Sequence, residues 1–302
     1  MKLGFLFAGQ GSQFKNMGQD LYQDQPLYKQ TVDQASQVLN LNLTDPKVFD
    51  DMNNAQVAIL TMSYGIDRIL REKLPAPAAM VGLSLGEYSA LVSAKALSFV
   101  TGVKLIKDRS HYMDEAGKLH PGAMAAVLGA DPQKVRSICD GVQGAYPCNY
   151  NTATQTVIGG TNAGVKAARK ALKANGIKIV IPLKVAVPSH TPLMQLASDK
   201  LATRMSKLNF KAPDTTVMSN TLGKPFTRKN IKPTLVKQLI HPTHFRADLA
   251  ALKPMHLDAL VEVGPGQTLS KLAHKTLPEV KNYHVDSVKT LHEVVSQLGG
   301  NA

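Results

Sequence analysis

The sequence predicts an α/β fold: a hydrolase-like core with a mostly parallel sheet, plus an inserted ferredoxin-like α+β subdomain. Two observations lead to this prediction. Strand-like and helix-like stretches alternate early in the chain, which is typical of a parallel sheet. The middle of the chain instead follows a β-α-β-β-α-β order. The 302 residues, 44% of them hydrophobic and 19% charged, suffice for a substantial core.

The first elements are short buried strands followed by helices. Residues 2–7 and 78–82 are apolar runs of strand length. Residues 56–70 carry apolar side chains at helical spacing, and residues 87–97 (EYSALVSAKAL) predict a second helix. These elements form the beginning of the predicted α/β core.

The middle of the chain has a different order of predicted strands and helices. Asp131 is a plausible N-cap for one helix, and Asn175-Gly176 ends another. The pattern predicts strands at 123–128, 145–150, 156–159 and 178–187, and helices at 131–139 and 162–174. We therefore expect an inserted ferredoxin-like subdomain at residues 119–187, and a large α/β domain made of residues 1–118 and 188–302.

The chain is strongly basic, with a formal net charge of +13. Such a surface attracts polyanions: nucleic acid, the phosphates of coenzyme A, or an acidic carrier protein. Tryptophan is absent, aromatic residues make up 5%, and no nucleic-acid-binding motif accompanies the charge. We therefore expect no nucleic-acid partner, although charge alone does not choose among the others.

Cysteine content and hydropathy bear on the compartment. Cys139 and Cys148 are too few for a disulfide framework or a structural zinc site, which favours a reduced, cytoplasmic protein without a bound metal. No apolar run reaches the length of a membrane span. The first apolar run meets Gly9-Gln10-Gly11 at once, so we expect a buried strand and neither a signal peptide nor a membrane partner.

The sharpest motif is Gly82-Leu83-Ser84-Leu85-Gly86, a G-x-S-x-G string between a predicted strand and a predicted helix. Glycines at both ends allow a tight turn that exposes the Ser84 hydroxyl at the end of the strand. The helix that follows supplies unpaired N–H groups that can stabilise an oxyanion. A serine that merely caps the helix is the simpler alternative, but the strand-to-helix context favours a nucleophile.

A serine nucleophile requires a base. Among nine histidines, His190 stands out because prolines bracket it in Val187-Pro188-Ser189-His190-Thr191-Pro192. That loop lies where the inserted subdomain returns to the core, a common position for a cleft. Near the N-terminus, Gly9-Gln10-Gly11 follows the first strand; it is either a simple turn or a close approach to a reacting group.

Taken together, these motifs resemble the malonyl-CoA:acyl carrier protein transacylase family over nearly the whole chain. Two departures occur: Leu83 replaces a histidine usual before the nucleophile, and His241 and His244 fall in a loop usually without histidine. The matching segments, in chain order, are FAGQGSQ at 7–13, GLSLGEYSAL at 82–91, Lys107-Asp108-Arg109 with Met113, GAMAAVLG at 122–129, Asn151 with Gln155, VPSH at 187–190, Ser219-Asn220, and VGPG at 263–266.

The resemblance implies an enzyme that transfers a malonyl group from coenzyme A to the thiol of acyl carrier protein, for fatty acid synthesis. It implies Ser84 as the acylated nucleophile and His190 as its base. Gln10 and the backbone N–H of Leu85 would form the oxyanion hole.

Further site residues follow from the same resemblance. Arg109 would pair bidentately with the malonyl carboxylate. Gln155 and Asn151 would contact substrate, and a carbonyl near His244 would orient the base. The coenzyme A thioester is then a substrate, and no cofactor is expected. An acidic carrier protein would be the partner, and the single-unit architecture suits a monomer.

Two other functional classes stay open at this point. An α/β-hydrolase-type esterase shares the nucleophile turn, but it would use a late histidine, His284 or His292, with an acid such as Asp258. A basic binding module would use Ser84 only as a helix cap. The hydrolase assignment accounts for neither the GQGSQ segment nor Arg109.

Overall fold

The computed structural model describes residues 1–184 and 187–299. Within these ranges the strands are β1 (Leu3–Phe7), β2 (Ala79–Gly82), β3 (Gly122–Leu128), β4 (Ala145–Thr152), β5 (Gln155–Thr161), β6 (Ile179–Pro182), β7 (Thr216–Ser219), β8 (Lys224–Pro225), β9 (Ala259–Val263) and β10 (Lys281–Val285). The α-helices are α1 (Gln19–Asp24), α2 (Pro26–Leu39), α3 (Pro46–Phe49), α4 (Ala55–Lys73), α5 (Leu85–Ser93), α6 (Phe99–Leu119), α7 (Pro132–Asp140), α8 (Asn162–Ala174), α9 (Gln195–Ser206), α10 (Ile231–Gln238), α11 (Phe245–Ala250), α12 (Thr268–Thr276) and α13 (Val288–Leu298).

The larger sheet has the strand order β10-β9-β1-β2-β7-β8. Its pairings are parallel except for the short β8, which runs antiparallel to β7. Strand β1 lies at its centre, and all five of its residues are buried. Phe5 and Phe7 pack into one apolar cluster and Leu6 into another, so helices cover the sheet on both faces.

The second sheet is antiparallel, with the strand order β4-β5-β3-β6. Helices α7 and α8 cover one face, and their apolar residues join a separate small core with Val127 and Ile158. The Asp131 side chain caps α7 by accepting from two backbone N–H groups, as predicted. This is the ferredoxin-like arrangement, so the predicted fold class is confirmed. The exact boundaries at 119 and 187 stay a prediction.

Two elements differ from their predicted bounds by four or more residues at one end. Helix α5 was expected at 87–97 but begins at Leu85 and ends at Ser93, because the backbone turns at Lys95, where φ is 55°. The last strand was expected at 178–187, but β6 ends at Pro182, after which Leu183 still donates its backbone N–H to the carbonyl of Met124 at 2.9 Å. Val185 and Ala186, inside that expected strand, lie outside the described residues. No helix among the described residues has the length and apolar character to cross a bilayer.

Candidate active site

Ser84 occupies a strained turn between β2 and α5. Its φ of 54° and ψ of −102° are rare for a residue with a side chain. The turn needs both flanking glycines. A Cβ on Gly82 would lie 1.9 Å from the backbone carbon of Gly86, and a Cβ on Gly86 would lie 2.1 Å from the carbonyl oxygen of Phe7. This geometry leaves the Ser84 side chain partly exposed at the carboxyl end of the central strands, as a nucleophile requires.

Asn220 fixes the turn from the side of β7. Its side-chain oxygen accepts from the backbone N–H of Ser84 at 2.8 Å, and its amide nitrogen donates to the carbonyl of Gly82 at 2.8 Å. Two buried carboxyls hold Asn220 in turn: Glu87 accepts from its backbone N–H at 2.6 Å, and Asp248 accepts from its side-chain amide at 2.7 Å. Burial raises the pKa of Glu87 to about 8 and that of Asp248 to about 7.

His190 lies in the loop predicted for the base, with a φ of 64°. Its backbone N–H donates to the carbonyl of Leu239 at 2.9 Å, and its Nδ1 lies 2.7 Å from the carbonyl oxygen of Gln238. The expected acceptor near His244 was therefore wrong. The orienting carbonyl sits six residues earlier, at the end of α10, where the last carbonyls of a helix are free.

The electrostatic surroundings keep His190 neutral. The side chain is buried, and burial together with the smaller effect of the nearby Arg109 charge lowers its pKa to about 4. With Nδ1 donating to a carbonyl, Nε2 carries the free lone pair that a base needs. The ring is thus ready to accept a proton at neutral pH.

Arg109 projects from α6 and is only 1% exposed. Its Nη2 donates to Ser84 Oγ at 3.2 Å and to the side-chain oxygen of Gln238 at 3.2 Å, and its Nη1 donates to the side-chain oxygen of Gln56. Burial lowers its pKa from the usual value. Within residues 1–184 and 187–299 its hydrogen-bond acceptors are amide and hydroxyl oxygens, and it forms no ion pair. The guanidinium charge is therefore left for another partner.

A cavity of about 420 Å³ opens over Ser84 between the two sheets. His190, Gln10, Asn151 and Gln155 line it together with apolar side chains of the second sheet. Arg109 is not among the residues that line the cavity, and its contact with the site is the hydrogen bond from Nη2 to Ser84 Oγ. The structure thus places the predicted Gln10, Ser84, Asn151, Gln155 and His190 on the lining of one cavity.

The predicted oxyanion donors are free. Leu85 contributes the first N–H of α5, and neither this group nor the backbone N–H of Gln10 has an acceptor among the described residues. Gln10 itself lines the cavity. Their role in holding an oxyanion stays a prediction.

The hydrolase arrangement is not assembled here. Among the described residues that line the cavity, His190 is the histidine present. His284 lies on β10, paired with Glu262 of β9, and His292 lies on α13. Asp258 accepts from the backbone N–H of Lys2 at the opposite end of β1. No group of three or more potential metal ligands occurs within the described residues.

The protein-family model described as the acyl transferase domain matches residues 4–294 of this chain. The chain belongs to the acyl transferase family. Among curated acyl transferases it is 37% identical to the malonyl CoA-acyl carrier protein transacylase of Bacillus subtilis, over 98% of this chain and 97% of the relative. It is 36% identical to the Escherichia coli K12 protein of the same name, over 91% of this chain and 92% of the relative. The resemblance inferred from the motifs is confirmed.

Solved acyl transferase structures agree with the fold. The crystal structure of MCAT from Streptococcus pneumoniae matches with a TM-score of 0.94 and 36% identity, covering 98% of this chain and all of that one. A second match, with a TM-score of 0.93 and 33% identity, covers the same shares. It is a malonyl-transacylase, PlMCAT, in complex with the type II PKS acyl-carrier protein AntF.

Sequence reasoning missed two residues that contact Arg109. Gln56 and Gln238 are separated from Arg109 by 53 and 129 residues, and neither lies in a motif that indicates chemistry. A glutamine on a buried helix face was the available signal, since Gln56 falls among apolar residues of α4. Asn220 is part of the motif resemblance, but its two hydrogen bonds to the backbone of the Ser84 turn were not predicted.

Proposed function

We propose that this acyl transferase moves a malonyl group from coenzyme A to the phosphopantetheine thiol of acyl carrier protein through a malonyl-Ser84 ester. The observation that carries the proposal is a buried guanidinium, free of any carboxylate partner among the described residues, that donates to the oxygen of a strained serine. A serine in a tight turn supports acyl transfer. The unpaired cation beside it supports an acyl group that carries a negative charge.

In the first half-reaction, Ser84 Oγ attacks the thioester carbonyl carbon of malonyl-CoA while its proton passes to Nε2 of His190. The carbonyl of Gln238 holds the proton on Nδ1, so the ring enters the step with Nε2 free. The backbone N–H groups of Leu85 and Gln10 stabilise the oxyanion. The C–S bond then breaks, and coenzyme A leaves as a thiol with the proton from His190.

The acyl group is selected by Arg109. A malonyl carboxylate is separated from its reacting carbonyl carbon by a single methylene, so it must lie close to the nucleophile's oxygen. The guanidinium at 3.2 Å from Ser84 Oγ is at that distance. In a site that excludes water, a planar guanidinium group pairs with a carboxylate through two parallel hydrogen bonds. Gln155 and Asn151, which line the same cavity, are proposed as further substrate contacts.

In the second half-reaction the carrier thiol gives its proton to His190, and the sulfur attacks the malonyl-Ser84 carbonyl. The ester bond breaks, the proton returns to Ser84 Oγ, and malonyl-carrier protein leaves. The basic surface, with a chain net charge of +13, would attract an acidic carrier. We propose that the enzyme acts as a cytoplasmic monomer supplying fatty acid synthesis.

A transfer assay tests the function. The purified chain is incubated with holo acyl carrier protein and, in parallel, with malonyl-, methylmalonyl- or acetyl-CoA, and the acylated carrier is quantified by mass spectrometry. We expect fast malonyl transfer and slower acetyl transfer. Release of free malonate without carrier acylation would indicate a hydrolase, and equal transfer of acetyl would remove the assigned specificity.

A further inference from the structure

Gln238 is the residue that joins the three proposed functional groups. Its backbone carbonyl lies 2.7 Å from His190 Nδ1, and its side-chain oxygen accepts from Arg109 Nη2 at 3.2 Å. Its side-chain nitrogen donates to the carbonyl of Ser84 at 3.0 Å and to the carboxyl of Glu87. The residue is fully buried at the end of α10. The proposed reaction steps involve the backbone carbonyl of Gln238 but assign no role to its side chain.

The amide of Gln238 stands between a buried cation and a buried carboxyl. On one side it accepts from Arg109; on the other it donates to Glu87. An amide can satisfy both groups because it has an acceptor oxygen and a donor nitrogen. It carries no charge, so it holds the guanidinium in place without neutralising it. A carboxylate at the same position would form a direct ion pair with Arg109.

We propose that the Gln238 side chain is a positioning residue that keeps Arg109 oriented but electrostatically unpaired, and thereby sets the preference for an acyl group that carries a carboxylate. This inference rests on the proposed function of Arg109 and adds the residue that makes that function possible. Gln56 gives Arg109 a second neutral acceptor from α4. Both glutamines are almost completely buried, so water does not supply the acceptors instead.

The decisive variant is Gln238→Glu, which preserves the shape and changes the charge. Two adjoining buried carboxyls share one proton, because like charges in a dry site disfavour double ionisation. Glu87 already has a pKa raised to about 8 by burial, so it retains that proton. The introduced carboxylate then faces Arg109 and competes with the substrate carboxylate. The backbone carbonyl is unchanged, so the orientation of His190 is preserved.

The measurement is the ratio of malonyl to acetyl transfer rates. We expect Gln238→Glu to lower this ratio at least ~30-fold, the lower end of the effect of disrupting a buried charge pair. Gln238→Met, which removes the hydrogen bonds and adds no charge, should lower the ratio less than Gln238→Glu does, because Gln56 still holds the guanidinium and no carboxylate competes with the substrate. Gln37→Glu, the same change at an exposed position of α2, is the control and should alter neither rate.

Specific outcomes overturn the inference. A folded Gln238→Glu variant with a wild-type ratio would do so, as would an equal fall in the ratio for Gln238→Met. If Gln238→Glu does not fold, Gln56→Glu places a carboxylate against Arg109 from the other side and must lower the ratio as well. If Arg109→Ala leaves the ratio unchanged, the proposed function fails; if Arg109→Ala lowers it and neither glutamine variant does, only this inference fails.

Discussion

Replacing Arg109 with alanine removes the guanidinium that donates to Ser84 Oγ. In the wild type, the side chain is 1% exposed and its acceptors are neutral, so a malonyl carboxylate entering the site gains a full charge partner in a dry environment. In the variant, the same carboxylate would be buried without one. Disrupting a buried, hydrogen-bonded charge pair costs roughly 2–5 kcal/mol, or ~30- to several-thousand-fold in rate.

Acetyl transfer should respond in the opposite direction. A neutral methyl group beside an unpaired cation is disfavoured in the wild type, and this penalty disappears when Arg109 is removed. We therefore expect the ratio of malonyl to acetyl transfer to fall by at least ~30-fold in Arg109→Ala. Arg109→Lys should recover charge but not the bidentate geometry, giving an intermediate ratio.

The assay is carrier acylation measured with each thioester under the same conditions. Arg228→Ala, which removes an exposed arginine, is the matched control and should leave the ratio at its wild-type value. Circular dichroism and thermal unfolding confirm that each variant is folded. A folded Arg109→Ala variant with an unchanged ratio would refute the reasoning, because the carboxylate would then be recognised elsewhere.

Three further predictions concern the base His190, the hydrogen bonds of Asn220 to the Ser84 turn, and the basic surface. His190→Ala should slow acylation at least ~10²-fold, because the general base is lost. Burial lowers the pKa of His190 to about 4, so the wild-type acylation rate should stay level as pH falls from 7 through 6.5. The rate should decline only as the ring protonates near pH 4. Asn220→Ala leaves two backbone groups of the Ser84 turn without partners and should lower the urea-derived free energy of unfolding by ~2–4 kcal/mol; a change within error would show that these hydrogen bonds are dispensable. Carrier acylation should slow as ionic strength rises, and changing the exposed Lys271 and Lys275 to glutamine should mimic this, whereas salt-independent transfer would leave the basic surface without this role.

Local signals in the sequence predicted much of the fold. The G-x-S-x-G string constrains the backbone within five residues, so the tight turn at Ser84 could be predicted from its two flanking glycines. The β-α-β-β-α-β order likewise comes from periodicity and caps such as Asp131. The bounds of α5 were predicted less well, because the apolar pattern continues to Leu97 and gives no signal for the positive φ at Lys95.

The partners of Arg109 and His190 could not be predicted in the same way. They are glutamine side chains and one backbone carbonyl, brought together by tertiary packing across as many as 129 residues. A backbone carbonyl has no sequence signal, since every residue carries one. The motif resemblance pointed to the loop around His244, but the acceptor is determined by where α10 ends, at Gln238.

The most direct test of the account is to locate the acyl group on the protein. After brief incubation with malonyl-CoA and acid quenching, trypsin releases residues 74–95, which contain Ser84 together with Ser89 and Ser93. Fragmentation mass spectrometry should place a single malonyl group on Ser84, and adding holo carrier protein before the quench should remove it. The Ser84→Ala variant should carry no adduct. A malonyl group on another residue, or an adduct of normal yield in Ser84→Ala, would contradict the account.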